Sequence, residues 1–164
     1  MNQEARESFA RFVAARSGSL IRTAYVLTGD QHAAEDLLQS ALTRTAAKWK
    51  GVRENPDAYV RKAMYHEQVG KWRRHGREHP AERLPDRGAD DPDVDLRLTL
   101  EQALLALTPR RRMVLVLRYY EDLAESEVAS IMGCSVGTVR SQTHRALARL
   151  RELAPELAEH LEIA

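Results

Sequence analysis

The sequence predicts an all-α protein: two small helical domains joined by a flexible acidic linker. Three observations carry that expectation. Apolar residues recur at three- and four-residue steps along almost the whole chain. Gly and Pro are sparse within the long periodic segments. Between residues 76 and 92 no apolar face can be drawn, and Asp86, Asp90 and Asp91 stand there, with Asp93 and Asp95 close behind. The expected division is therefore a first domain at 1–75, a linker at 76–92, a second domain at 93–153 and a short acidic tail at 154–164. Domains this small each bury little apolar surface and are individually marginal.

Taken in order, Phe9, Phe12 and Val13, then Leu20, Ile21, Ala24, Tyr25 and Leu27, form a first helix or a pair broken at Ser17-Gly18-Ser19. Thr28-Gly29-Asp30 is a stop followed by an N-cap, since an Asp oxygen accepts from the free amides of the next turn. The second helix carries Ala34, Leu37, Leu38, Ala41, Leu42, Thr45 and Trp49 on one face. Gly51 and Asn55-Pro56 end it and start a third, from Asp57 to about Arg74. Beyond the linker, Val94 to Leu107 reads as helix, followed by Thr108-Pro109 as cap and first residue of a helix through Tyr120. The run Met113 to Leu117 looks strand-like alone, but the periodicity on both sides outweighs it. Glu125 to Met132 and Val136 to about Leu153 complete the set.

Composition excludes several classes. The longest apolar run is far too short to span a bilayer. Glu4, Arg6, Glu7 and Arg11 leave no apolar signal-peptide core at the start. One cysteine, Cys134, allows no internal disulfide, so a reduced, cytoplasmic protein without membrane contact is expected. So few residues follow the last helix that no further C-terminal domain is expected. The total charge of +1 argues, taken whole, against a nucleic-acid partner. By segment it reads +5 over 1–75, −4 over 76–108, +3 over 109–152 and −3 over the last twelve residues. Two basic lobes thus alternate with acidic stretches, an electrostatic footprint hidden by the sum. Val136 to Arg151 holds Arg140, Arg145, Arg149 and Arg151 with no acid, and Lys71, Arg73, Arg74 and Arg77 surround Trp72.

Glu125 to Leu147 has the spacing of a DNA-binding helix-turn-helix. Ala129 is the small residue where two helices cross, and Gly133 lies four residues later in the turn. Val128, Ile131 or Met132, Val136 and Val139 anchor the second helix, and Ser135 caps it. With Val139, Thr143, Ala146, Leu147 and Leu150 facing inward, Arg140, Ser141, His144 and Arg145 lie outward, where base edges and phosphates are met. The plainer alternative is a three-helix bundle with a solvated arginine face.

These residues carry a family resemblance. Arg118-Tyr119-Tyr120-Glu121-Asp122-Leu123, Glu127-Val128-Ala129, Gly133 through Ser141 and His144-Arg145-Ala146 resemble region 4 of the extracytoplasmic-function sigma factors of the sigma-70 family. Ala33-Ala34-Glu35-Asp36-Leu37-Leu38-Gln39 is similar to region 2.2. Ala58-Tyr59-Val60-Arg61 through Trp72-Arg73-Arg74 resembles regions 2.3 and 2.4. Thr23 through Asp30, with Ala146 through Arg151, points to the actinobacterial sigma-E-type branch. The likeness runs through nearly the whole chain in the right order.

The resemblance implies a factor that binds core RNA polymerase, through its β′ clamp helices and β flap, and directs it to promoter DNA. The region 2.2 helix would dock with Asp36, Leu37, Gln39 and Thr43, although Glu35 and Asp36 also suit the helix dipole alone. The loop Trp49-Lys50-Gly51-Val52-Arg53 and the next helix, with Tyr59, Arg61, Lys62, His66, Trp72, Arg73 and Arg74, would capture unstacked bases of the −10 element. Trp49 and Tyr59 fit a core role equally well by spacing. His66 stands where many relatives have Asn, and Gly70 where many have Asp. Arg118, Ser135, Thr138, Arg140, Ser141, His144 and Arg145 match positions that read or clamp the −35 element, while Arg110, Arg111 and Arg112 would touch phosphate or polymerase. Ala124 replaces the usual Ser or Thr cap, and Thr143 a usual apolar residue; both predict a slightly weaker domain. The acidic linker would thread an anion-attracting channel of the polymerase, or serve only as a soluble tether. An anti-sigma factor is a further partner of this kind of protein.

Catalysis has little support: there is no Gly-rich phosphate loop, G-x-S-x-G elbow or H-E-x-x-H motif, and neither cofactor nor metal is expected. His75 and His79 are four apart, but Pro80 and nearby arginines disfavour a metal site. Cys134 reads as a small packing residue. The competing function is a helix-turn-helix regulator that binds operators without core polymerase. It leaves the Trp72 cluster and the Asp36–Gln39 face unexplained.

Overall fold

Asn2 opens the first helix, its side-chain oxygen accepting from the Ala5 amide at 2.9 Å. In the computed structural model, which describes residues 1–78 and 100–156, this helix, α1, runs unbroken through Gln3–Thr28. Of the two readings, one helix or a pair broken at Ser17-Gly18-Ser19, the structure has the single helix. Ser17 Oγ donates to the Val13 carbonyl and Ser19 Oγ to that of Arg16, so both hydroxyls are satisfied inside the helix. Gly18 then costs only about 1 kcal/mol relative to Ala, a small loss against the core that α1 builds on both sides of it.

The chain reverses at Gly29, whose φ of 73° is left-handed and whose amide donates to the Tyr25 carbonyl. Asp30 then caps α2 (Gln31–Ala47), accepting from Ala33 N–H at 2.9 Å. A single helical turn, α3 (Trp49–Val52), occupies what was expected to be a loop. Asn55 accepts from the Ala58 amide at 3.4 Å, and α4 spans Pro56–Glu78, extending past both the expected helix end and the expected linker start. The buried core of this unit draws on Leu20, Ala24 and Leu27 of α1, Ala34, Leu37, Leu38 and Ala41 of α2, which packs on α1, and Val60, Met64, Tyr65 and Val69 of α4. Asp57 ties the base of this bundle: Oδ1 accepts from Arg16 Nε at 2.8 Å, and Oδ2 from Arg61 Nη1.

Two compact units result, Met1–Arg74 and His75–Ala164. Most of the expected acidic linker, with Asp86, Asp90, Asp91, Asp93 and Asp95, lies outside the described residues, as do His79 and most of the expected tail. In the second unit, α5 (Leu100–Leu105) and α6 (Pro109–Leu115) precede α7 (Glu125–Met132) and α8 (Val136–Leu153). Every residue from Arg112 to Leu117 is buried, so α6 is the central helix of the unit. Its continuation is not α-helical: Val116–Tyr120 forms a π turn, with Glu121 N–H donating to the Val116 carbonyl at 3.0 Å. The core joins Ala103 and Leu107 to Leu115, Ala146, Leu147, Leu150 and Ala154.

Ala124, at the N-cap of α7, offers no side-chain acceptor, although Glu125 and Glu127 complement the dipole in the first turn. Ala124 is exposed, and Glu127 stands at the third helical position, so Ala124→Ser supplies both partners of a capping box. Urea unfolding should show this variant more stable by about 0.5–2 kcal/mol. An unchanged midpoint would mean that solvent already satisfies those amides.

Candidate nucleic-acid and polymerase interfaces

The helix-turn-helix geometry arises from local rules. Gly133 closes α7 in the left-handed region (φ 67°, ψ 39°), and its amide donates to Ala129. A β-carbon there would cost about 1–2 kcal/mol. Two residues on, Ser135 Oγ accepts from Thr138 N–H at 3.1 Å and lies 3.0 Å from Thr138 Oγ1. Val128, Ala129, Ile131 and Met132 of α7 and Val139 of α8 are buried where the two helices pack together. Thr143 lets its hydroxyl donate to the Val139 carbonyl at 2.7 Å, so the polar residue on the inner face is satisfied.

This packing turns Thr138, Arg140, Ser141, His144, Arg145, Ala148 and Arg151 to solvent. The structure therefore brings six of the seven residues expected at the upstream element, Ser135 included, to the start and outer face of one helix. Arg118 is the exception. It is half-buried in the π turn, and its Nη1 donates to the Leu123 carbonyl, so it braces the loop before α7 rather than presenting a free fork to DNA. Arg112 is also corrected. It is only 3% exposed, its Nη2 donates to the Leu107 carbonyl at 3.2 Å, and burial pushes its pKa down to about 10. It remains charged at neutral pH and closes the end of α5, while Arg110 stays exposed and Arg111 half-exposed.

In the first unit Asp36, Gln39 and Thr43 lie one turn apart along α2, all exposed. Leu37 does not join them: it is fully buried on the opposite side of the helix, and its expected polymerase contact is corrected to a core role. On α4, Tyr59, Lys62, His66 and Arg73 follow one stripe, with Tyr59 half-buried and the others exposed. Arg74 is exposed beside Gly70, where a β-carbon would meet only Arg74 Nη1 at 3.6 Å. Burial first, and the Lys62 charge second, hold the His66 imidazole below its ordinary pKa.

Three expected base contacts sit elsewhere. Trp49 is 5% exposed, its indole N–H donating to Ser8 Oγ at 2.7 Å, with Phe9 edge-on at 5.1 Å and Phe12 tilted at 5.6 Å. It is a core residue, with no face left for a base; Lys50 beside it is exposed. Trp72 is half-buried and follows Tyr65, Gln68 and Val69 on the inward side of α4. Arg61 is half-buried against Asp57, which offsets its charge. Sequence reasoning missed Asp57, Ser8 and also Glu125, whose Oε2 accepts from Arg140 Nε at 2.6 Å. Among the described residues no cluster of His, Cys, Asp or Glu could hold a metal ion, and no helix is long and apolar enough to cross a membrane.

Comparison with known proteins agrees with this geometry. A family model described as sigma-70, region 4 matches residues 97–150, the stretch that holds the helix-turn-helix. The chain is 42% identical over 149 residues to the RNA polymerase sigma-E factor of Streptomyces avermitilis, covering 88% of this chain and 83% of that one. It is 32% identical over 171 residues to the ECF RNA polymerase sigma factor SigE of Mycolicibacterium smegmatis, covering 97% and 65%. Among solved structures it is similar to the sigma factor RpoE of Bartonella quintana, crystallised with the anti-sigma factor NepR. That match has a TM-score of 0.56 and 25% identity, over 88% of this chain and 95% of that one.

Proposed function

The chain belongs to the sigma-70 family of RNA polymerase sigma factors, in its extracytoplasmic-function group, and from that premise we propose how its two units divide the work of initiation. The protein binds core RNA polymerase and directs it to promoters, acting as a transcription factor while the polymerase performs the chemistry. The second unit reads the −35 element. The observation that carries this is the outer face of α8, which presents Thr138, Arg140, Ser141, His144 and Arg145 and holds no acid before Glu152. Arginine forks there suit guanine O6 and N7 in a major groove, and the capped N-terminus of α8 approaches phosphate.

The first unit serves the −10 element with Lys62, His66 and Arg73, assisted by Tyr59, Arg74 and Lys50. A basic stripe beside an aromatic ring supports capture of unstacked bases. Polymerase docking falls to Asp36, Gln39 and Thr43, toward the β′ clamp helices, and the β flap is the contact proposed for the second unit. An anti-sigma factor is a further partner on this reading, because the similar Bartonella protein was crystallised with one. Work with the polymerase puts the protein in the cytoplasm.

Run-off transcription with purified core polymerase on promoter fragments selected from genomic DNA tests the assignment. Transcripts starting at defined sites are expected. A protein that neither co-purifies with core nor initiates, yet binds duplex alone, would be an operator-binding regulator instead. Within the assay, Asp36→Ala combined with Gln39→Ala should lower affinity for core about tenfold or more while far-ultraviolet ellipticity stays unchanged, since both side chains are exposed. Normal core binding by that double variant would remove α2 from the interface.

A further inference from the structure

Arg140 is the one arginine on the exposed face of α8 whose hydrogen bond reaches back to α7: Glu125 Oε2 accepts from its Nε at 2.6 Å. The two side chains are unequally exposed, 70% for Arg140 and 33% for Glu125. The carboxylate is thus the fixed partner. It sits in the first turn of α7, where the helix dipole favours an anion, and the guanidinium reaches out from it. Because the contact uses Nε, the donors of the two terminal amines are not spent on the carboxylate. That pair is the fork that matches O6 and N7 of a guanine. Exposed ion pairs contribute little to stability, so folding gives weak reason for a glutamate here. Orientation gives a stronger one, since an arginine held in one direction loses less freedom when it meets a base.

We propose that Glu125 is a positioning and specificity-determining residue for DNA recognition, aiming the terminal amines of Arg140 at a base while offsetting its charge toward phosphate. The proposal rests on the reading of α8 as the −35 contact. Its two effects act in the same direction. Holding the fork strengthens binding to the correct base, and the carboxylate, close to the DNA surface, weakens attraction to any duplex regardless of sequence. Arg145, on the same face, has no such partner among the described residues, so the two arginines differ in kind: one aimed and partly neutralised, the other a free charge.

The test uses the full chain bound to core polymerase, and measures affinity for a promoter fragment and for fragments carrying each single substitution in the upstream element. Arg140→Ala should lose preference at one base position. Glu125→Ala should reduce preference at that same position about fivefold, the lower end of what a bidentate arginine–guanine pair contributes. It should also bind unrelated DNA several-fold more tightly, with a steeper dependence on salt. Glu125→Gln keeps an acceptor oxygen but no charge, so it should share the tighter unrelated binding and lose less preference. Should Glu125→Ala melt early, Glu125→Gln carries the test through the salt dependence alone. Adding Glu125→Ala to Arg140→Ala should change base preference no further. Full preference retained in Glu125→Ala, alongside a loss in Arg140→Ala, overturns the positioning role alone. Arg140→Ala with every base preference intact overturns this proposal and leaves the α8 reading to Arg145 and its neighbours, whereas base preferences that survive both Arg140→Ala and Arg145→Ala overturn the α8 reading itself.

Discussion

Replacing Trp49 with alanine is expected to unfold the first unit under conditions where the parent protein is native. The indole is almost fully buried, stacks edge-on with Phe9, touches Phe12 and donates to Ser8, so it joins the short turn α3 to the start of α1. Truncating a buried tryptophan costs about 3–5 kcal/mol through lost transfer energy and the cavity left behind. A unit of this size has little stability beyond that to lose. Urea titration followed by ellipticity should show an early transition for the first unit, with the second unit's transition unmoved. Trp49→Phe, which keeps most of the ring but not the N–H, should lose only about 1 kcal/mol for the bond to Ser8 plus a smaller packing deficit. If Trp49→Ala melts like the parent and instead fails in promoter opening, the side chain stacks on a base after all.

Arg145→Ala should produce the largest purely functional loss. The side chain is exposed on α8, and no carboxylate among the described residues holds it, unlike Arg140 with Glu125 or Arg149 with Glu152 at 3.0 Å. Its full charge is therefore available to DNA. Removing an arginine that reads a guanine costs about 1–3 kcal/mol, roughly fivefold or more in promoter affinity. Where it meets phosphate, the slope of log affinity against log salt should flatten by about 0.9. Thermal unfolding should not change, because the truncation removes no packing. Promoter occupancy that stays the same across salt would exclude Arg145 from the interface.

The helices α7 and α8 were legible nearly to the residue, because helix signals there are local. Ser135 before Val136 and Gly133 after Met132 mark an end and a start with their own backbone chemistry. The outer face of α8 was legible for a related reason: a 3.6-residue period with no acid leaves one reading of which side is wet. What could not be read is what another helix does with a side chain. Trp49 and Tyr59 have the same spacing credentials. The ring of Trp49 is covered by two phenylalanines some forty positions earlier, and that of Tyr59 is not. Arg61, Arg112 and Arg118 look like surface cations in sequence. Asp57 lies one turn before Arg61 on α4, an i,i+4 pair open to sequence reading, whereas the Leu107 and Leu123 carbonyls that take up Arg112 and Arg118 are presented by turns whose backbone the sequence leaves open. Gly18 misled in the opposite sense, since a weak helix former between two strong apolar stretches is carried by its neighbours.

The widened turn at Val116–Tyr120 has a consequence for how the protein tolerates changes in length. A π turn accommodates one residue more than an α-helix does over the same rise, with the surrounding hydrogen bonds intact. Losing one residue there would close the π turn to an ordinary α turn over the same rise, so the helix before it and the chain after it keep their seats against the buried wall of Met113 to Leu117. The segment should therefore absorb a single deletion beside its exposed tyrosines, Tyr119 and Tyr120, that a regular α-helix would pass on as a rotation of about 100°.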